Sequence, residues 1–446
     1  MLAALAALMA LAVPAGARPI VTKEGVLPAG TDLNEDVLEQ PTELFSSELA
    51  GGKRSYLLNL GDLLFSSPGI FGGVARQAGM SCETCHQQGS NNPKLFIPGL
   101  SARPGTFDVS GPLFNAKADN GVFDPVTPPS LRGAKYLAPY AHDGRFPTLH
   151  EFIRNAIVNE FAGPELSAQV VDALEAYIKE IAFLPNAKLG TGGRLTKEAS
   201  DAARRGEVLF NKPFPHDAGL SCASCHRTDG AFVDHRLHDV GTGGWFKTPT
   251  LINADFNAPY FHDGRFDSYA EVVDYFDKHF ALQLKANERA DLVAYLNAVG
   301  DAKQPVTRNT VQAELDEIAQ FASVLDTAIP EHNKEIIDLT VDAVANQWRE
   351  LAEAFPGSTD TSISGGLAER RRASGAAKNM VLTLRCIAMA ADGDDFAGAA
   401  RAYADYRGQL SATASDLKLA EAWSLFNPAA RAAHFVALNQ LARLAK

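Results

Sequence analysis

The sequence predicts a mainly α-helical protein in which two copies of one unit are followed by a helical bundle. Three observations lead to this fold class. A block of 18 residues recurs at an offset of 120 along the chain, and each copy leads into an amphipathic helical pattern. Beyond Pro305, glycine and proline thin out, and alanine, leucine and charged residues dominate. The length of 446 residues agrees with about three domains, at roughly 150 residues per domain.

The composition indicates a folded chain that does not bind nucleic acid as its main partner. Hydrophobic residues make up 46% of the sequence and charged residues 21%, which is enough to form buried cores. The 53 acidic residues outnumber the 41 lysines and arginines and give a net charge of −12. A chain with no basic excess has little to neutralise phosphates, so nucleic acid is excluded as the main partner.

The N-terminus predicts export to the periplasm. Residues 2–14 are almost wholly apolar, and the small residues Ala15-Gly16-Ala17 follow, as in a secretory signal peptide cleaved after Ala17. The alternative is a membrane anchor, but the run is shorter than the roughly 20 apolar residues that span a bilayer. We therefore interpret residues 1–17 as a signal peptide and expect no membrane span after its cleavage. Residues 18–50 are interpreted as an irregular N-terminal arm.

The two repeated units are predicted at residues 51–190 and 197–303, joined by a linker rich in Gly and Thr. Eleven of the 18 residues from Pro129 to Phe146 are identical to those from Pro249 to Phe266. Upstream, the Gly-Asp-Leu-Leu-Phe sequence at Gly61 matches Gly-Glu-Val-Leu-Phe at Gly206. This similarity predicts an internal duplication.

Residues 305–446 are predicted to form a separate helical bundle of unknown role. Helical patterns run over 311–327, 331–354, 366–391, 395–410 and 415–444. The one cysteine of this region, Cys386, lies between Leu384 and Ile387, so we expect a buried and unreactive thiol.

The other four of the five cysteines form two identical motifs. These are Cys82-Glu-Thr-Cys85-His86 and Cys222-Ala-Ser-Cys225-His226. In a Cys-X-X-Cys-His motif two thiols, one helical turn apart, attach to haem, and the histidine ligates the iron.

Two other interpretations of Cys-X-X-Cys are a thioredoxin-type redox pair and half of a zinc site. The repeated histidine, the exported chain and the lack of a βαβ pattern favour haem. We therefore predict two covalently bound haem c groups, with His86 and His226 as the proximal iron ligands, in two c-type cytochrome domains.

Methionine is not expected as the sixth ligand of either haem. After cleavage the chain retains three methionines: Met80, Met380 and Met389. Met80 comes two residues before Cys82, and the other two lie in the predicted bundle. Histidine or tyrosine would therefore fill any sixth position.

With these motifs, the sequence resembles the bacterial di-haem cytochrome c peroxidase family, which includes the MauG-like enzymes. The resemblance covers residues 45–303 and depends on the two haem motifs together with the sequence of residues 258–266. It implies an oxidoreductase in which peroxide reacts at the first haem while the second transfers electrons. It also implies a calcium ion between the domains, held by backbone oxygens at Asn257 and Pro259.

The resemblance implies hydrogen peroxide as oxidant and a protein as the source of electrons. This protein would be a small electron donor, a c-type cytochrome or a cupredoxin, or a protein substrate. A different interpretation is a non-catalytic electron-transfer cytochrome with both irons six-coordinate. A third is a redox-sensing or interaction protein whose function lies in residues 305–446.

The first unit departs from the family pattern at two candidate catalytic residues. Tyr140 stands where the family has glutamine, and His150 stands where it has the glutamate that acts as acid and base on peroxide. Because imidazole titrates near neutral pH, His150 could take over the acid/base role. Alternatively, it could ligate the iron and close the peroxide site.

The second unit departs from the family pattern at the position of the sixth ligand. The family has methionine or tyrosine 14 residues after the histidine of His-Asp-Gly, where this chain has Phe276, which cannot ligate iron. Tyr275 and His279 are the alternatives, and His279 is favoured because it lies on the same helical face as Phe276.

The His-Asp-Gly-Arg sequences supply further candidate residues for haem binding. By the resemblance, His142 and His262 shape the pocket wall and anchor the haem propionates, and Arg145 and Arg265 pair with the same carboxylates. Direct ligation of iron is the alternative for the two histidines.

Overall fold

The computed structural model describes residues 26–33, 41–217, 219–302, 310–357 and 363–444, and it confirms the mainly α-helical prediction. Strands β1 (Leu237–His238) and β2 (Phe246–Lys247) form an antiparallel pair. The helices are α1 Ser46–Leu49, α2 Tyr56–Phe65, α3 Gly73–Gln77, α4 Cys82–Cys85, α5 Leu149–Asn155, α6 Ala168–Glu180, α7 Asp201–Phe210, α8 Cys222–Cys225, α9 Tyr269–His279, α10 Ala286–Gly300, α11 Val311–Ala322, α12 Leu325–Ala328, α13 Lys334–Glu353, α14 Leu367–Asp392, α15 Phe396–Ala420 and α16 Pro428–Leu444.

In the first unit, helix α2 packs closely against α6. The Ser55 side chain caps α2 by accepting a hydrogen bond from the backbone N–H of Leu58. At Gly61 the two backbones approach so closely that a Cβ atom would lie 2.1 Å from the carbonyl oxygen of Ala173. The apolar face of α6 is buried, as its helical spacing predicts.

The second unit repeats this packing with helices α7 and α10. A Cβ atom at Gly206 would lie 2.0 Å from the carbonyl oxygen of Asp291, so glycine is required here for the same steric reason. The hydrophobic core of this unit is a separate cluster of buried residues. Its members are Phe210, Phe232, Ala254, Tyr269, Val273, Leu292, Tyr295, Leu296 and Val299.

The helix that follows each His-Asp-Gly turn differs between the units. Helix α9 is regular, and the N–H of Phe280 bonds to the carbonyl oxygen of Phe276, four residues earlier. Helix α5 instead ends in a π-helical turn over Ala156–Glu160, where the N–H of Phe161 bonds to the carbonyl oxygen of Ala156, five residues earlier. The first unit therefore has one additional residue in this turn.

The C-terminal helices share a continuous hydrophobic core with the first unit. Trp348 of α13 and Leu384 of α14 belong to the same buried cluster as Leu60 of α2. Polar contacts cross this junction: Arg76 pairs with Asp342 at 2.9 Å, and the Gln320 side chain donates to Asp62 at 3.1 Å. The predicted boundary at residue 305 remains a prediction, and the shared core ties residues on its two sides together.

Two expectations for the C-terminal region were wrong. The helices predicted over 395–410 and 415–444 have different bounds in the structure. Helix α15 continues to Ala420, because Ser-Ala-Thr-Ala at 411–414 does not interrupt it, and helix α16 begins at Pro428. Cys386 is exposed, because a residue two positions from the buried Leu384 points to another face of the helix.

The predicted signal peptide, residues 1–17, lies outside the described residues, as does part of the predicted arm at 18–50. Among the residues that the structure describes, no helix is both long enough and apolar enough to cross a membrane.

Candidate haem-binding sites

The two predicted proximal histidines have the same hydrogen bond. Each follows the short helix that carries the two cysteines, α4 or α8. Nδ1 of His86 donates to the carbonyl oxygen of Pro129 at 2.9 Å, and Nδ1 of His226 donates to that of Phe232 at 3.1 Å. Burial lowers the pKa of both rings, that of His86 to about 4. Neutral rings fixed through Nδ1 keep Nε2 as the atom for iron.

The four motif cysteines are free thiols in partly buried positions. Burial raises the pKa of Cys85 and of Cys222 to about 12, and it raises the pKa of Cys82 and Cys225 as well. All four are therefore protonated thiols at neutral pH, and none forms a disulfide. They remain available for the thioether bonds that the motif predicts.

The second unit contains a cavity of about 350 Å³ beside its haem motif, and this cavity is suited to a flat apolar cofactor. Cys222, Cys225 and His226 line one part of it. Most of the remaining wall is apolar, including Phe210, Phe214, Val240, Phe246, Leu251, Phe261, Val273, Phe276, Phe280, Leu292 and Leu296. The donor set and this apolar wall fit covalently bound haem c.

Residues of the first unit complete this cavity. Thr127 and His142 line it, and Nε2 of His142 donates to the carbonyl oxygen of Thr127 at 2.7 Å. The N–H of Thr127 in turn donates to the carbonyl oxygen of His262 at 2.7 Å. The rings of His142 and His262 lie 6.5 Å apart between their centroids, and Phe246 stacks on His262 at 3.6 Å. The two predicted pocket histidines therefore meet where the units join.

Sequence reasoning missed Lys247, which ties the units together. Its Nζ donates to the carbonyl oxygens of Leu137 and Pro139, at 2.8 Å each. Its N–H also donates to the carbonyl oxygen of His142 at 2.8 Å. Burial lowers the pKa of the amine to about 8. No motif marks this lysine in the sequence, because its partners are backbone atoms distant along the chain.

Both predicted propionate-binding arginines fold onto nearby aspartates. Arg145 pairs with Asp143 at 3.0 Å, and Nε of Arg265 pairs with Asp263 at 2.9 Å. Arg145 also approaches a carboxylate oxygen of Glu160 at 3.6 Å. Both guanidinium groups are partly exposed, and their role towards haem remains a prediction.

The two candidate catalytic residues of the first unit lie in different surroundings. Tyr140 is buried, and its hydroxyl donates to the carbonyl oxygen of Ala134 at 3.3 Å. The His150 side chain is 42% exposed, and its Nδ1 lies 3.5 Å from Asp172 and 3.6 Å from Glu175, both on α6. The structure therefore directs His150 towards carboxylates of a neighbouring helix, and its acid/base role remains a prediction.

The two candidate sixth ligands of the second haem do not line the cavity in this structure. The Tyr275 hydroxyl donates to the carbonyl oxygen of Val240 at 2.5 Å. The exposed His279 stacks on Tyr275, with 5.8 Å between the ring centroids. Phe276 of the same helix does line the cavity. Whether Tyr275 or His279 ligates the iron remains a prediction.

The predicted calcium residues lie at the junction of the two units. The Asn257 side chain accepts a hydrogen bond from Ser90 at 3.3 Å, and the Asn91 side chain donates to the carbonyl oxygen of Ala258 at 2.8 Å. Pro259 lines the second cavity. Calcium at this junction remains a prediction.

A larger cavity, of about 830 Å³, lies between the first unit and the C-terminal helices. Burial raises the pKa of Glu43 and of Glu314 to about 7, and it raises the pKa of Glu83, on α4, well above its ordinary value. The motif residues Cys82, Cys85 and His86 are not part of its wall. The carboxylates that line this cavity are Glu43, Asp62, Glu83, Glu314, Asp316, Glu317, Glu350 and Glu353.

A buried carboxyl group in the first unit was also missed from the sequence. Glu160 ends the π-helical turn, is 9% exposed, and accepts a hydrogen bond from the Asn155 side chain at 2.9 Å. Burial raises its pKa to about 7. The available signal was a single acidic residue following Ala-Ile-Val-Asn at 156–159, a mostly apolar stretch.

Comparison with known proteins confirms the family resemblance. Residues 201–355 match the family model described as di-haem cytochrome c peroxidase. MauG, the methylamine utilization protein of Methylorubrum extorquens, is 25% identical over 287 residues, which cover 54% of this chain and 77% of MauG. The cytochrome-c peroxidase IdrP1 of a Pseudomonas strain is 39% identical over 79 residues, 15% of this chain and 20% of IdrP1.

Two further similarities cover different shares of the chain. The hydrazine synthase subunit gamma of Kuenenia stuttgartiensis is 26% identical over 230 residues, so the match spans 38% of this chain and 63% of that subunit. A solved structure of a MauG-like protein associated with microbial copper homeostasis aligns with 58% of this chain and 93% of that protein, with a TM-score of 0.40 and 16% identity.

Proposed function

Because this chain is a relative of the di-haem cytochrome c peroxidase and MauG family, we propose that it is a periplasmic di-haem c-type oxidoreductase. In this proposal it accepts electrons from a small donor protein or a protein substrate and passes them through two haems to hydrogen peroxide. The two units are two c-type cytochrome domains, and residues 305–446 form an accessory helical region.

The observation that carries this proposal is the paired geometry of His86 and His226. Each histidine stands beside two free cysteines and bonds through Nδ1 to a backbone carbonyl oxygen, at 2.9 Å and 3.1 Å. A thioredoxin pair does not need such a histidine, and in each unit the hydrogen bond through Nδ1 leaves Nε2 for iron, next to two cysteines in the spacing that attaches haem. This arrangement therefore supports two haem sites.

When bound, haem c supplies an iron that exchanges electrons and binds peroxide wherever a coordination position is open. The residues of this chain determine which site is open. Aligned at the offset of 120, Ala156 of the first unit corresponds to Phe276 of the second. Alanine leaves space where phenylalanine fills it, which supports the first unit as the peroxide site.

The junction of the units supports electron transfer between the two sites. His142 of the first unit lies beside His262 of the second at a centroid distance of 6.5 Å, Phe246 stacks on His262 at 3.6 Å, and all three line the second cavity. Lys247 and Thr127 hold this contact through hydrogen bonds to backbone oxygens. Fixed groups at a junction hold the two units in one relative position, which electron transfer between two bound haems would require.

Spectroscopy with and without hydrogen peroxide tests the proposal. We expect the ferric or half-reduced holoprotein to show one high-spin haem that is lost when peroxide is added, in optical and electron paramagnetic resonance spectra. Ala156→Phe should suppress this reaction by filling the open space. Ala202→Phe, on the partly exposed surface of α7, is a control for bulk alone and should leave it intact.

Two low-spin haems in every redox state, both inert to peroxide, would instead show a non-catalytic electron carrier. Peroxide turnover in a chain truncated before residue 305 would exclude the interpretation that the function lies only in the C-terminal helices. Since those helices share a core with the first unit, the truncated chain must first be shown to fold.

A further inference from the structure

Glu160 is a buried carboxyl group at the end of the helix that follows the first His-Asp-Gly turn. In the second unit the corresponding helix, α9, contributes Phe276 to the cavity wall beside the haem motif, and Phe280 follows it there. Burial and, to a smaller extent, the charge of Glu160 raise the pKa of the Cys85 thiol. The charged group facing Glu160 from the His-Asp-Gly-Arg turn is Arg145, with Nη2 at 3.6 Å from Oε1. Asn155 donates to the same oxygen at 2.9 Å, so both contacts use Oε1.

The π-helical turn accounts for the inward position of this residue. It inserts one residue between Ala156 and Phe161, whereas Phe276 and Phe280 of the second unit are four residues apart. When Phe161 is aligned with Phe280, Glu160 corresponds to His279, which is exposed in the second unit. The additional residue thus turns a surface position into a buried one, and π turns often occur at functional sites.

Burial of the Glu160 carboxyl group costs free energy, which calls for an explanation other than folding. The adjacent Phe161 stacks on Phe71 and packs against Phe107 and Phe114, with centroid distances of 4.5 to 6.1 Å. A buried carboxyl group loses hydration that the hydrogen bond from Asn155 and the Arg145 guanidinium at 3.6 Å only partly replace. Its folding role could be filled by a neutral residue, so a catalytic role is the better explanation.

We propose that Glu160 moves the proton in peroxide reduction at the first haem, in place of His150. This inference rests on the proposed function and names the acid/base residue of that site. His150 lies between α5 and α6, where it faces Asp172 and Glu175 at the surface.

The proton movement balances as follows. Oε2 of the Glu160 carboxylate takes the proton from one peroxide oxygen and returns it to the other, which leaves as water as the O–O bond breaks. The remaining oxygen takes two electrons, which originate from the donor protein, and two protons from solvent, and leaves as a second water. One hydrogen peroxide, two electrons and two protons thus yield two waters, and Glu160 is restored.

The first test measures the redox potential of the first haem against pH in the holoprotein, without peroxide. Since the pKa of Glu160 is raised to about 7, we expect the potential to fall as the pH rises through about 7. Glu160→Gln should remove this dependence, because glutamine keeps the shape and does not titrate. Glu165→Gln, an exposed glutamate five residues later, is the matched control and should behave as the wild type.

The second test follows the reaction of peroxide with the same proteins by stopped-flow spectroscopy. The Glu160→Gln rate should fall by roughly 10² to 10⁴, the usual contribution of general acid–base catalysis. Glu165→Gln should keep the wild-type rate. Haem content and melting temperature establish that each variant is folded and loaded.

The outcomes separate this inference from the proposed function. A wild-type protein that is inert to peroxide overturns the proposed function and the catalytic role of Glu160 with it. If the wild type reacts but Glu160→Gln reacts equally fast, or still shows the pH-dependent potential, only this inference is wrong. A loss of rate in His150→Gln but not in Glu160→Gln would return the role to His150.

Discussion

The two repeated units of this chain have the same surroundings at the predicted proximal histidine and differ in the helix that follows the His-Asp-Gly turn. On the proximal side, each has a histidine bonded to a backbone carbonyl oxygen, and a glycine at the crossing of its two main helices. In the helix after that turn, the second unit has Phe276 and Phe280, which line its cavity, while the first unit has Ala156 and the buried Glu160.

If haem binds as we propose, this difference separates the features needed for its attachment from those that can differ between the units. Attachment would require the same bonds in both units, and both have the motif, the glycine and the turn. Residues of the following helix would decide what reaches the iron, so they can differ without loss of the cofactor. The helix with the additional residue in its last turn carries the buried Glu160, whereas the regular helix α9 carries the exposed His279.

The largest effect is expected at the glycines shared by the two units. Gly61→Ala and Gly206→Ala would each place a Cβ atom about 2 Å from a carbonyl oxygen. We expect each to lower the free energy of unfolding by about 3 kcal/mol, at the upper end for overpacked cores. Because the first unit shares its core with the C-terminal helices, Gly61→Ala should lower the melting temperature of both regions, and Gly206→Ala that of the second unit.

Calorimetry of the holoprotein measures these transitions. Gly408→Ala in α15 is the matched control: no atom lies within 4 Å of its added Cβ, so helix propensity should raise stability by about 1 kcal/mol. Equal effects of Gly61→Ala and Gly206→Ala on every transition would show that the two cores unfold as one.

The next largest effect is a change of spin state at one chosen haem. Ala156→Met should supply a sixth ligand to the first haem, convert it to low spin and block peroxide. Phe276→Met should supply a ligand to the second haem and leave the peroxide reaction intact. Electron paramagnetic resonance and stopped-flow spectroscopy measure both. If Phe276→Met blocks peroxide instead, the second unit is the reactive one and our assignment of the two sites is reversed.

A smaller effect concerns the acidic cavity between the first unit and the C-terminal helices. The pKa of Glu314 is raised from its ordinary 4.5 to about 7 by burial and by the charge of Glu350. Between these values the folded chain binds more protons than the unfolded chain, so the free energy of unfolding falls as the pH rises through this range. Glu314→Gln should therefore stabilise the protein at pH 8, by on the order of 1 kcal/mol, and have little effect at pH 4.5.

Urea unfolding at the two pH values measures this difference, with the exposed Glu198→Gln as the control that should show none. If Glu314→Gln destabilised the protein at pH 8, the Glu314 carboxylate would make favourable contacts in the wild type that outweigh the cost of its burial.

The smallest effect is expected for His279→Ala in the second unit. Because this side chain is exposed and does not line the cavity, the haem spectrum should be unchanged and stability should shift by no more than about 0.5 kcal/mol. A low-spin haem that becomes high-spin in His279→Ala would establish the ligation that the sequence predicted.

The sequence predicted the parts of the site that depend on spacing along the chain. The cysteines and histidines of the two motifs are fixed by one helical turn, and the duplication is visible in 11 identical residues of 18. The sequence did not predict that Lys247 ties the two units together, because its partners are backbone oxygens more than 100 residues away. It did not predict the burial of Glu160 either, because a one-residue change of helical register leaves no local signal.

By itself, the sequence determined that this chain is mainly helical, is related to the di-haem peroxidase family, and carries two repeated motifs with the chemistry to attach haem. Such properties follow from residue types at short, fixed separations, which the chain's covalent geometry conveys directly. Only the tertiary structure decided that His142 and His262 meet at the junction, that the C-terminal helices share the first unit's core, and that Glu160 is buried. Those outcomes depend on packing between distant segments, which local spacing does not specify.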